Sequence, residues 1–154
     1  MKIIFDIGHP AHVHYFRNLI SILKNRGNSI LIIARNKDVS LELLNNYKLE
    51  YISRGEGSNS VIGKTYYLLR TLIFMLILTR KFKPNLFISF NSPYLSIVSK
   101  LTNVNHLCFN DTEHAKIGNL ITSKFSDYLV TPDCFLKNYH KRHIKFKSYM
   151  ELSY

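Results

Sequence analysis

Along this chain, short and mostly uninterrupted apolar runs alternate with longer stretches in which apolar residues recur every three or four positions. The runs at residues 3–5, 30–34, 49–52, 86–90, 106–109 and 128–131 have strand length and predict six strands. Between them lie five helical patterns. The first starts near His12, with Pro10 tolerated at its first turn; Val13, Phe16, Ile20 and Leu23 form its apolar face and Gly27 its stop. The second is capped by Asp38 and runs to about Tyr47, with Val39, Leu43, Leu44 and Tyr47 inward. The third covers residues 64–82 and ends before Pro84; the fourth covers residues 93–101 behind a Ser92 cap; the fifth spans about residues 116–125. Continuous apolar strands alternating with helices imply a parallel sheet covered on both faces. The expected fold is therefore α/β: a Rossmann-like, doubly wound parallel sheet of about six strands in residues 1–135, followed by a basic segment, residues 136–154. At 154 residues the chain suits one well-buried domain.

In a doubly wound sheet, ligands bind beyond the carboxyl ends of the strands, near the point where strand order reverses. The polar clusters of this sequence fall there. The first strand leads into Asp6, Gly8, His9, His12 and His14; the fourth into Asn91 and Ser92; the fifth into Asn110, Asp111, Thr112, Glu113 and His114; the sixth into Thr131 and Asp133. The turn Gly8-His-Pro-Ala-His-Val-His14 precedes a helix N-terminus, whose unpaired N–H groups suit an anion. It is neither G-x-G-x-x-G nor a Walker A loop, which disfavours dinucleotide binding and P-loop chemistry. A histidine there has the proton affinity of a general base, and the bland alternative is capping or core packing. Asp111, Glu113 and His114 suit proton transfer or hydroxyl binding, against the alternative that Asp111 caps the next helix. His9, His12, His14, Asp111 and His114 match no metal-site spacing, so no metal is expected.

Charge changes the picture of partners. The net charge is +11, and no Asp or Glu occurs from residue 57 to 110, where Lys64, Arg70, Arg80, Lys81, Lys83 and Lys100 lie. Residues 135–150 are also free of acids and hold Lys137, Lys141, Arg142, Lys145 and Lys147. Such a field favours anionic partners. Residues 66–78 are apolar nearly all round, which fits either a core helix or one resting on an anionic membrane surface; Arg70 interrupts a spanning reading. No nucleic-acid-binding motif accompanies the charge, so nucleic acid is disfavoured. Cys108 and Cys134, without a secretory signal, read as reduced thiols of a cytoplasmic protein, with a peripheral position at the inner membrane face as its extension.

Five stretches together carry a family resemblance: Asp6-Ile-Gly-His-Pro-Ala-His-Val-His14, Ala34-Arg-Asn-Lys-Asp38, Asn91-Ser-Pro-Tyr94, Asn110-Asp-Thr-Glu-His114 and Thr131-Pro-Asp-Cys-Phe135. They resemble the successive motifs of domain-of-unknown-function family 354 of archaea and bacteria, a family similar to GT-B glycosyltransferases and UDP-N-acetylglucosamine 2-epimerases. The match runs from the first strand to Tyr154. The resemblance implies the N-terminal, acceptor-side domain of a two-domain GT-B-like fold. The chain stops where the family's linker to a donor-binding domain would begin, so half a site, inactive alone, is expected. The implied activity is transfer from a nucleotide sugar to a carbohydrate or lipid-linked acceptor, without a cofactor. The implied base is His12, His14 or Glu113; Gly8 and the helix N-terminus would face the donor phosphates; His9, Asn91, Ser92, Asp111, Thr112 and His114 would bind substrate. A sugar-nucleotide epimerase half and a non-catalytic binding or membrane-associated module are the alternatives.

Overall fold

The computed structural model describes residues 1–58, 60–139 and 142–153. Asn59 of the loop at residues 54–60, Lys141 of the basic segment and Tyr154 at the end of the resemblance lie outside the described residues.

Among the described residues seven strands form one parallel sheet: β1 (Lys2–Ile7), β2 (Ser29–Ala34), β3 (Ile52–Ser53), β4 (Leu86–Phe90), β5 (Asn105–Phe109), β6 (Tyr128–Pro132) and β7 (His143–Phe146), in the order β3-β2-β1-β4-β5-β6-β7. The order reverses between β1 and β4. Among the described residues five α-helices cover it: α1 (Pro10–Asn25), α2 (Ser40–Asn46), α3 (Val61–Phe82), α4 (Pro93–Thr102) and α5 (Lys116–Phe125). This is the expected Rossmann-like α/β fold.

Alternation along β1 divides the core, because successive strand side chains point to opposite faces. Ile3, Phe5 and Ile7 pack with Val13, Phe16 and Ile20 of α1 and Leu44 of α2. Ile4 points the other way, with Ile33, Phe87, Met75 of α3, and Leu95 and Val98 of α4. Phe16 stands edge-on to Phe5 at 5.4 Å and to Phe109 at 5.7 Å between ring centroids, a favourable aromatic geometry that pins α1 across β1 and β5.

The structure moves several boundaries. Helix α1 begins at Pro10, two positions before His12, because His9 serves as its cap. The cap of α2 is Val39, without a side-chain bond, and Asp38 instead takes a left-handed conformation at φ 48°. Val39 is 50% exposed and Tyr47 36%, so of the four residues expected inward only Leu44 is fully buried. Only Ile52 and Ser53 pair as β3, since the left-handed turn at Lys48 engages the Leu49 N–H with the Leu44 carbonyl. Helix α3 starts three residues earlier than expected, at Val61, where the Ser60 hydroxyl accepts from the Gly63 N–H.

The sheet also continues past residue 135. β7 pairs with β6, Lys145 Nζ donates to the Phe135 carbonyl at 2.7 Å, and Met150 packs against the α1 side of the core. Residues 143–146 read His-Ile-Lys-Phe, and their polar and basic members break the apolar run by which the buried strands are recognised. Such charge is common on an edge strand, where it discourages further pairing.

Both cysteines are free thiols, Cys108 buried and Cys134 exposed. Next to Cys108 in the sheet core, His106 is fully buried with Nε2 2.8 Å from Ser89 Oγ and Nδ1 without a partner. Burial lowers its pKa to about 3, from 6.5. The imidazole is thus neutral in the folded protein and takes up a proton on unfolding once the pH falls below about 6.5. Its contribution is complete above that pH and is lost progressively as the pH falls toward 3. Acidification from about pH 7 to about pH 5 should cost about 2 kcal/mol through this one group. Urea unfolding at the two pH values checks this: His106→Gln should reduce the pH dependence by that amount, and an unchanged dependence would contradict it.

Candidate functional site

Among the described residues, two cavities at the carboxyl edge of the sheet hold the polar clusters. The first, about 210 Å³, lies at the reversal of strand order and is lined by Asp6, Gly8, His12, Arg35, Arg54, Phe90, Asn91, Ser92, Pro93 and Tyr94. The second, about 580 Å³, lies beyond β5, β6 and β7 and is lined by residues that include Asp111, Thr112, Glu113, His114, Cys134 and Tyr149.

The first cavity is built around a buried ion pair. Asp6, at the end of β1, is 1% exposed, and Arg54, just after β3, is 5% exposed. Arg54 Nε donates to Asp6 Oδ1 at 3.0 Å, Ser92 Oγ donates to Asp6 Oδ2 at 2.5 Å, and Arg54 also donates to the Tyr67 hydroxyl of α3. The guanidinium lies 5.0 Å from the Tyr94 ring and 5.7 Å from the Tyr67 ring, both within cation–π range. Burial alone would lower the Arg54 pKa, but Asp6 overrides it and holds the group charged. Burial likewise raises the Tyr94 phenol, against the opposing pull of Arg54.

Two further arginines brace the loop after β3. Arg70 donates to the Arg54 carbonyl at 2.9 Å, and its guanidinium lies where a Cβ on Gly55 would sit 2.5 Å away. Arg35 packs against Gly57 in the same manner, at 2.1 Å from such a Cβ, and lies 5.7 Å from the Tyr67 ring. Gly55 is also left-handed, at φ 77°, so no other residue fits there without strain.

His12 closes the cavity from α1. Its Nδ1 accepts from the Gly8 N–H at 3.2 Å, and its ring lies 4.8 Å from Phe90. Burial, then the neighbouring His9, Arg54 and Lys37, lower its pKa to about 3. With Nδ1 accepting, the neutral ring carries its proton on Nε2. His12 is therefore set up to donate a hydrogen bond through Nε2 into the cavity. The other two histidines do different work. His9 Nδ1 caps α1 by accepting from the Ala11 N–H at 3.2 Å, and burial followed by Lys37 lowers its pKa. His14 stands edge-on to Tyr47 at 5.9 Å, on the α2 side, outside the residues lining either cavity. The helix N-terminus is less open than expected, because the Gly8 and Ala11 N–H groups already have imidazole acceptors.

Asn91 and Ser92 line the first cavity with side chains already engaged. Asn91, left-handed at φ 44°, donates to Asn119 Oδ1 at 2.9 Å and accepts from Thr122 Oγ1 at 3.1 Å; Ser92 caps α4 through the Leu95 N–H. Asn119 also accepts from Asn110 Nδ2 and donates to the carbonyls of Thr112 and Glu113, which fixes the loop carrying the acids. Tyr15 of α1 donates to Asp111 Oδ2 at 3.4 Å and stacks on His12 at 6.4 Å, which links the two cavities. Thr112 Oγ1 donates to Asp111 Oδ1 at 2.8 Å, Glu113 Oε1 accepts from the Leu136 N–H, and His114 is exposed. Among the described residues no group of three or more His, Cys, Asp or Glu side chains is placed to hold a metal ion.

Arg35, Arg54, Tyr67, Tyr94 and Asn119 were not singled out from the sequence. The signal for Arg35 was present, since it directly follows the predicted strand at residues 30–34, as the other clusters follow theirs.

Residues 1–146 match the family model described as "Protein of unknown function (DUF354)". The chain belongs to that family. A Methanocaldococcus jannaschii protein described as uncharacterised is 26% identical over 127 residues, 82% of this chain and 37% of its own length. Among solved structures, the UDP-GlcNAc 2-epimerase of the same archaeon, in complex with UDP-GlcNAc and UDP, is similar at a TM-score of 0.69 and 16% identity, covering 86% of this chain and 40% of that one. MurG of Acinetobacter baumannii is similar at a TM-score of 0.73 and 9% identity, covering 94% of this chain and 45% of MurG. At these identities the likeness is one of fold. The DUF354 chain shares the Rossmann-like fold of the GT-B glycosyltransferase and UDP-GlcNAc 2-epimerase group, and spans less than half the length of these relatives.

The ion pair makes a sharp prediction for this family member. Removing one partner leaves the other charge buried, at about 3–5 kcal/mol, whereas replacing both with apolar residues of similar size removes the penalty. Arg54→Met should lower stability by that amount, and Arg54→Met with Asp6→Leu should recover most of it. Denaturant midpoints of the wild type and both variants measure this, and equal losses in the two variants would refute it.

Proposed function

We propose that this chain is the acceptor-side half of a GT-B-like glycosyltransferase that uses a nucleotide-sugar donor. The observation that carries the reading is the cavity at the strand-order reversal. There a neutral His12 offers an Nε2–H beside Arg35 and the buried Arg54, while Asp111 and Glu113 stand at the next loop along the same edge. The cationic wall suits diphosphate, and the mixed donors and acceptors suit sugar hydroxyls. The similar M. jannaschii epimerase structure holds UDP-GlcNAc and UDP, which supports a nucleotide-sugar ligand.

In this mechanism the acceptor hydroxyl oxygen forms a bond to the anomeric carbon of the donor, and the bond from that carbon to the phosphate oxygen breaks. The nucleoside diphosphate leaves with the electron pair. Asp111 or Glu113 takes the acceptor proton, and the second wall of the cleft comes from beyond this chain. His12 and Arg35 stabilise the charge that grows on the leaving phosphate, from positions already ordered by Gly8 and Gly57.

The test is product analysis of the gene's full-length product with UDP-GlcNAc labelled in the sugar, as a probe donor, with and without an acceptor extract. Label should move to the acceptor, with UDP released. Removing the base, by Asp111→Asn or Glu113→Gln, should lower kcat/KM by about 10²–10⁴-fold for whichever carboxylate serves. Epimerised sugar formed without any acceptor would overturn the transferase reading in favour of the epimerase one.

A further inference from the structure

Helix α3 is apolar on its outward side as well as on the side that packs on the sheet, where Leu72, Leu76 and Leu78 join Met75 against the core. Its buried side is Tyr67, Thr71, Met75 and Thr79. Its outward stripe is apolar: Ile62 is 84% exposed, Tyr66 67%, Leu69 56%, Ile73 59% and Ile77 46%. These positions recur every three or four residues and therefore form one continuous face. Arg80 continues the stripe one turn further, and Lys81 and Lys83 follow at the helix end, all exposed. Beside this end lies a groove of about 630 Å³ at the amino edge of the sheet, lined by Leu76, Arg80, Lys83, Leu101 and four further residues, none of them acidic. Leu101, at the end of α4, is 64% exposed next to the exposed Lys100.

The chemistry of this surface is an apolar strip ending in cations, with no carboxylate anywhere in residues 57–110 to repel an anion. We infer that α3 lies in the plane of an anionic lipid surface. The stripe from Ile62 to Ile77 enters the acyl boundary, and Arg80 and Lys83 hold lipid phosphates at the mouth of the groove. The helix is long and apolar enough by composition to cross a membrane. Its inner face argues for lying on one instead, because Tyr67 accepts from the buried Arg54 and Met75 packs in the core beneath the sheet. A spanning helix would have to give up both. Charge complementarity selects anionic lipid over a zwitterionic surface, since juxtamembrane cations each add binding only where the surface is negative. The inference stands apart from the proposed chemistry: the stripe faces away from the Tyr67 side of α3 that meets Arg54, and the groove with Arg80 and Lys83 lies at the opposite edge of the sheet from the candidate site.

Co-sedimentation with vesicles of phosphatidylcholine alone, and of phosphatidylcholine mixed with phosphatidylglycerol, tests it, with light scattering on the free protein. Binding should require the anionic lipid and weaken with salt. Arg80→Glu with Lys83→Glu should weaken it by about tenfold or more. Ile73→Glu with Ile77→Glu should abolish it; all four positions are on the surface, so the variants should keep the wild-type circular dichroism. Failure to bind anionic vesicles would overturn the inference. Binding that Ile73→Glu with Ile77→Glu leaves intact would also overturn it, as would a dimer dispersed by those same substitutions, which would assign the stripe to a second copy of the chain.

Discussion

A carboxylate and a guanidinium buried together cannot each be left alone, and this requirement organises the upper edge of the molecule. Asp6 ends the central strand β1, and its two oxygens are used by Arg54 and by Ser92. Ser92 in turn caps α4, while Arg54 reaches Tyr67 on α3. One ion pair thus ties β1, the loop after β3, α3 and the start of α4 into a single polar knot where strand order reverses. Because the pair stabilises only if every member is satisfied, the geometry around it is narrowly specified. The glycines at 55 and 57 follow from the same constraint, since the arginines bracing that loop occupy the space a side chain would need.

The same knot explains what His12 is. Near a cationic cluster and under Phe90, a protonated imidazole has no compensation, so the ring is neutral and its Nδ1 faces the Gly8 amide. Three histidines in six residues look alike in sequence, yet the helix separates them: His9 caps it, His12 faces the cavity, and His14 turns to Tyr47. Helical spacing places side chains at i and i+2 on different faces, and that geometric fact divides His12 from His14.

The fold was legible because its signal is redundant. Most of the strands are apolar runs, the helices between them are periodic, and Ser92 and Pro84 mark ends by known stereochemistry. β7 escaped because a four-residue edge strand carrying a histidine and a lysine has no apolar run to find. The site was legible only in part. Its loops could be placed from strand ends, but which residue faces which is decided by long-range pairs, such as Arg54 with Asp6 across 48 residues and Tyr15 with Asp111 across 96. Local spacing holds no information on such pairs. Arg54 was further hidden because a lone basic residue in a glycine-rich loop has the ordinary look of solvated surface.

Helix α3 brings the two ends of the molecule into one problem. Folding alone favours burying isoleucine ahead of threonine, yet Thr71 is buried with an unpartnered hydroxyl while Ile62 and Ile73 face outward. Thr79 is accommodated by donating back to the Met75 carbonyl at 2.7 Å, a bond available to a hydroxyl inside a helix and to no aliphatic side chain. Burying Tyr67 has a local cause, because Arg54 needs its hydroxyl. No contact among the described residues accounts for the outward isoleucines. Exposed apolar surface that repeats along one helical face and ends in cations is costly in water, and that cost is what the proposed anionic lipid contact would relieve.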